Sequence, residues 1–193
     1  EIYNYSGDHN IKNALKLVLH IPLRAENLCN LKWNQINFEK KILTIPRENM
    51  KLSNINLDDF VMPLTVEVVN ILKEHKDMQL FSLKAKEFVF LGFNNKQAIN
   101  KESPNRALYR LGFNDEKKGT KIRLHGFRGT FRSLIDTLDT KGAFSFEVKE
   151  RALDHHDKNL VVRSYNHKAN YQEHMRELMN FWSSFICNLK EGL

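Results

Sequence analysis

Apolar residues recur at helical spacing from near the start of the chain. Ile11, Ala14, Leu15, Val18 and Leu19 share one face, which predicts a helix over 11–19 that Pro22 ends. A second, short helix is expected over 25–31. The period then changes. Segments 33–38, 41–45 and 60–63 are short alternating or β-branched runs between polar turns, the pattern of a small antiparallel sheet. Helical spacing returns after Thr65, a suitable N-cap with Glu67 one residue short of the capping-box position. Val68, Val69, Ile71 and Leu72 form the apolar face. Segment 89–93 is apolar but too short to assign, a short buried strand being one reading. Segments 103–111 and 126–138 read as helices, the second opening near His125. The last helix has the widest stripe: Met175, Leu178, Met179, Trp182, Phe185, Ile186 and Leu189. Such a stripe either closes the chain's own core or docks on a neighbouring copy. The expected fold is mainly α with a small three-stranded antiparallel β-sheet in the N-terminal half.

Composition narrows the class. With 193 residues, 41% hydrophobic and 27% charged, the chain suits a single globular domain over 1–193 and excludes a disordered or fibrous protein. The longest apolar runs, 17–23 and 88–93, fall well short of the ~18 residues a spanning helix needs, so no membrane partner is expected. The polar N-terminus is unlike a signal peptide, and two cysteines, Cys29 and Cys187, do not make a disulfide framework. A reducing, cytoplasmic setting is therefore expected. The net charge of +7 favours nucleic acid or an anionic surface as partner.

Three clusters hold candidate chemistry. Arg24 stands where one predicted helix ends and the next begins. His125 and Arg128, three apart, share a helix face and can reach one anion. Asp154, His155 and His156 precede Tyr165. Singly, each reads as an ordinary surface or structural residue. Together, two arginines, two histidines and a tyrosine, with no matching carboxylate pair, suggest an anion site beside a hydroxyl nucleophile. Arginine forks match phosphate oxygens, so a phosphodiester is the natural occupant.

The ordered set Arg24, Lys51, His125-x-x-Arg128, His155, Tyr165 resembles the signature of the tyrosine recombinases, or phage-type integrases, and most closely those of prophages and genomic islands. Flanking residues agree: Leu31-x-Trp33, Pro63-Leu64-Thr65, Leu108-x-Arg110-Leu111-Gly112, Tyr165-Asn166 and Met179-x-x-Trp182. The resemblance implies the tyrosine recombinase catalytic-domain fold and a site-specific recombinase that integrates or excises a mobile element of bacterial or phage origin. Arg24 and Arg128 would grip the scissile phosphate, Tyr165 would attack it, and a 3′-phosphotyrosyl ester and free 5′-hydroxyl would result. His125 resembles the general-base position, His155 the phosphate-bonding position, and Lys51 the general acid on a β-hairpin turn, with Lys40 and Lys41 as nearby alternatives. Because the ester conserves the energy of the broken bond, neither a metal, ATP nor another cofactor is implied. The implied partner is double-stranded DNA at attachment sites in the nucleoid, with four protomers assembling on it. Without DNA, a monomer or weak oligomer is expected.

Two departures qualify this picture. The family usually carries an acidic residue three positions after the first arginine, where this chain has Asn27. Its N-terminal core-binding and arm-binding domains also have no counterpart here, so the chain reads as the C-terminal catalytic domain. Tyr171 and Tyr109 are rival nucleophiles, and His156 competes with His155; the Leu153-x-His155 frame and the spacing to Tyr165 favour the first assignments. Three other functions compete: an inactive DNA-binding remnant of an integrase, a type IB topoisomerase-like enzyme, and a metal hydrolase built on His155, His156, Asp157, His167 and His174. The spacings of that last set fit no familiar ligand pattern.

Overall fold

Asp8 starts the first helix: its carboxylate accepts from the backbone N–H groups of Asn10 and Ile11, satisfying two donors a helix start leaves unpaired. The computed structural model describes residues 1–51, 57–82, 86–155 and 171–191. Its helices are α1 (His9–His20), α2 (Ala25–Cys29), α3 (Val66–Ser82), α4 (Glu102–Arg110), α5 (Gly126–Leu138), α6 (Phe146–Ala152) and α7 (Gln172–Glu191). Strands β1 (Ile36–Asn37), β2 (Ile42–Ile45) and β3 (Phe60–Pro63) form one antiparallel sheet in the order β1-β2-β3. Register is set by Ile36 opposite Leu43 and by Ile45 opposite Phe60. Leu43, Ile45, Phe60 and Met62 face the core. The fold is thus mainly helical with the small three-stranded sheet the pattern predicts.

The strand expected over 33–38 shrinks to two residues. Trp33–Gln35 winds instead into a 3₁₀ turn, closed by the Gln35 side chain accepting from the Lys32 N–H. Segment 89–93 is not a strand but is held by two isolated bridges, Lys32 with Phe88 and Leu91 with Ala98. Helix side chains meet its remaining polar groups. His75 Nε2 and Gln79 Nε2 donate to the Val89 carbonyl, and Asn10 Oδ1 accepts from the Leu91 N–H.

Helix α7 resolves the choice its stripe left open. Met175, Leu178, Met179 and Trp182 are buried in the same core as Leu15, Leu17 and Phe131. Trp182 meets Phe131 edge-on at 5.1 Å and donates its indole N–H to the Leu19 carbonyl at 2.7 Å. A buried chain of hydrogen bonds reinforces this docking: His20 joins Tyr3 Oη at 2.7 Å and Ser183 Oγ at 2.8 Å, and Ser183 joins Thr65 Oγ1 at 3.1 Å. Thr65 Oγ1 also accepts from the Val68 N–H, the N-cap role expected of it. The α1 end, the α3 start and α7 are fastened together beside the sequence that leads into Arg24.

Candidate nucleic-acid cleavage site

Arg24 is the first residue before α2. Ile21 and Arg24 have extended backbones around Pro22, which carries the chain out of α1 and turns the guanidinium inward. Arg128 lies in the first turn of α5, and its guanidinium is almost wholly buried. It donates to the Pro22 carbonyl at 2.7 Å and to the Leu153 carbonyl at 2.6 Å. Its Nη2 also lies 3.3 Å from His155 Nε2. Burial, and then the nearby positive charge of Arg24, lower the Arg128 pKa to about 10, so it remains a cation at neutral pH.

His155 reaches this cluster because of how α6 ends. The N–H of His155 bonds the Glu150 carbonyl and that of Asp154 bonds the Arg151 carbonyl, both at 2.9 Å, with Asp154 in the left-handed region at φ +53°. This is a Schellman termination. It turns Asp154 inward and brings His155 back over the last turn of α6. There His155 Nδ1 faces Glu150 Oε2 at 2.7 Å, which favours the tautomer that carries its proton on Nδ1 and offers Nε2 to Arg128. Burial works against ionising Glu150, but hydrogen bonds from Arg132 and His155 outweigh it and hold its pKa below the usual carboxylate range. Helix α6 is clipped to α5 by Arg132 with Glu150 at 2.6 Å, and by Lys149 with Asp136 and Asp139 at 3.0 and 2.9 Å.

Two groups to which sequence reasoning assigned no role, Asp154 and Arg47, sit at the centre. The Asp154 carboxylate is buried between Arg24, at 2.9 Å, and Arg47, also at 2.9 Å. Arg47 belongs to the β2–β3 connection, where it donates to the Asp58 carbonyl through Nε and its backbone N–H meets Asp59 Oδ1, each at 2.8 Å. The reading of an arginine site without a matching carboxylate pair is therefore corrected: Asp154 pairs with Arg24 and Arg47, and Glu150 with Arg132. Both Asp154 pairings join residues far apart in sequence, and only the acidic neighbour of His155 hinted at them.

The remaining predicted residues are placed as follows. His125 is exposed at the N-cap of α5, with its carbonyl accepting from the Arg128 N–H and no side-chain cap bond. Lys51 is exposed on the β2–β3 connection. That connection is tied to α2 by Asn27, whose amide donates to the Asn49 carbonyl at 2.9 Å. Tyr165, Asn166 and His156 lie outside the described residues. Tyr171 is half-buried at the start of α7 under the Arg151 guanidinium, 4.1 Å from the ring centroid, and Tyr109 is exposed on α4. Among the described residues, one set of potential metal ligands converges, His20, Glu67 and Cys187, with ligand atoms within 4.8 Å of one another. It shares no residue with the arginine cluster, and both His20 nitrogens already face hydroxyls.

The family model described as "Phage integrase family" matches residues 1–172. The chain belongs to the phage integrase family. Among curated relatives, it is 28% identical over 197 residues to the putative protein IntB of Escherichia coli K12, covering 96% of this chain and 47% of that one. It is 24% identical to the integrase of Enterobacteria phage P4, covering 94% and 41%. The chain thus spans less than half the length of these relatives. Solved structures share its fold. A XerA recombinase superposes with a TM-score of 0.58 at 20% identity, covering 88% of this chain and 61% of that one. The Tn1549 transposon integrase, solved with circular intermediate DNA, gives 0.54 at 15% identity, covering 88% and 57%. Among the described residues of this integrase-family chain, no helix is long and apolar enough to cross a membrane.

Proposed function

We propose that this chain carries the DNA-cleaving centre of a site-specific recombinase that breaks and rejoins strands through a 3′-phosphotyrosyl intermediate. The observation that carries this reading is the convergence of Arg24, Arg128 and His155, from three separate elements, on one partly buried cluster. A guanidinium has five N–H donors. Among the described residues, Pro22, Leu153 and His155 engage three of those of Arg128, which leaves two for a phosphate oxygen. In a water-poor site, such donors stabilise the charge that gathers on the non-bridging oxygens in the transition state.

In the proposed step, the Tyr165 phenol oxygen bonds to phosphorus and the bond from phosphorus to the 5′-oxygen breaks. His125 takes the phenolic proton, and Lys51 gives one to the leaving 5′-oxygen, which departs as a hydroxyl. As the phosphate enters, His155 Nε2 exchanges Arg128 for the phosphate and, once protonated, donates to one of its oxygens while Nδ1–H stays on Glu150. Attack by the 5′-hydroxyl of a second strand reverses the step, so the energy balance requires no ATP. Double-stranded DNA is the partner, and four protomers on two duplexes would complete the exchange in the cell's nucleoid. Incubation with a nicked suicide duplex tests the reading: a covalent protein–DNA species should form, resist denaturation, and be absent in Tyr165→Phe.

A further inference from the structure

We propose that Asp154, backed by Arg47, is the positioning residue that holds the Arg24 guanidinium in the anion pocket beside Arg128. The inference rests on the phosphate-binding role proposed for Arg24, and three independent features support it.

The first is backbone cost. Asp154 occupies the left-handed position that ends α6, at φ +53°. Glycine takes this conformation without penalty, whereas a residue with a Cβ is disfavoured there. A buried carboxylate at a position suited to glycine points to a role for the side chain. The second is geometry. Asp154 Oδ2 takes Arg24 Nη1 and Oδ1 takes Arg47 Nη1, each at 2.9 Å, so one carboxylate spans α2 and the β2–β3 connection.

The third is charge. Two guanidiniums in one pocket repel each other, and after burial the charge of Arg24 is the next cause that lowers the Arg128 pKa. A carboxylate behind Arg24 opposes it, but on its own would cancel the charge that attracts phosphate. Arg47 compensates: two guanidiniums on one carboxylate leave an excess positive charge, and Arg47 itself is buried. Asn27, at the position usually acidic in the family, is occupied with the Asn49 carbonyl. The carboxylate on Arg24 therefore comes from the α6 end.

A double-mutant cycle on the full chain tests this. Asp154→Asn, Arg24→Ala and the double variant are compared for the rate of covalent capture on the suicide duplex and for duplex affinity. Asp154→Asn should slow capture about 30-fold and change affinity less than about threefold. In the Arg24→Ala background it should have no further effect. Losses that multiply would overturn the inference. A second readout does not depend on turnover: in the nitrogen-15 spectrum, the Arg24 Nη signals should be distinct in the wild type and averaged in Asp154→Asn. An Arg24 equally mobile in both would also overturn it. If the wild type captures no DNA, the recombinase reading fails, while the spectrum still decides the role of Asp154. Should Asp154→Asn not fold, Arg47→Lys enters the same cycle, with a smaller loss expected.

Discussion

Glu150 and His155 face each other across the end of α6, Oε2 to Nδ1 at 2.7 Å, while the other carboxylate oxygen of Glu150 accepts from Arg132 at 2.6 Å. The carboxylate fixes the ring that meets Arg128 and is itself fixed to α5. Glu150→Gln keeps the shape and removes the charge. Covalent capture of DNA by this variant should slow about tenfold, with little change in melting temperature. An unchanged rate would separate Glu150 from the reaction.

Acid should destabilise the fold through two buried histidines. Burial is the main cause lowering both His20 and His75 from 6.5 to about 4. Their folded pKa lies below the unfolded value, so the neutral form is favoured in the folded state. The stability they contribute is complete above pH 6.5 and is lost as pH falls towards 4. The loss is on the order of 3 kcal/mol per histidine. Urea titrations at pH 7 and 4.5 should show a lower midpoint at the acidic pH, and His75→Gln should flatten the difference.

Helix α7 belongs to the core of its own chain. Trp182→Ala should cost about 3–5 kcal/mol, because it removes the contact with Phe131 and the bond to the Leu19 carbonyl. Leu189, about half exposed near the helix end, should cost less than about 0.5 kcal/mol when replaced by serine. Denaturant midpoints at equal slope check both.

The sequence made some elements legible and hid others for physical reasons. Helix α5 falls where expected because Phe127, Phe131, Leu134 and Ile135 keep one apolar face over a full 13 residues. The α7 stripe is readable for the same reason. Helix α6 went unseen: at seven residues it has too few turns for a period, its Phe146 is exposed, and its one start signal is the Ser145 cap. The expected first strand failed because Gln35 bonds back to Lys32, a local competition that alternation does not reveal. At the site, Arg24, Arg128 and His155 stand out through the family resemblance of the ordered set they belong to, and the fold brings them together. The Arg47–Asp154 pair was not legible, since its partners are 107 residues apart and no spacing pattern joins them.

The most direct test of the proposed chemistry is mass mapping of the residue that becomes attached to DNA. After capture on a nicked suicide duplex and digestion of the complex, the peptide bearing the nucleotide adduct should contain Tyr165, and Tyr171→Phe should leave its yield unchanged. An adduct on Tyr171, or on any residue in the Tyr165→Phe variant, would contradict the account.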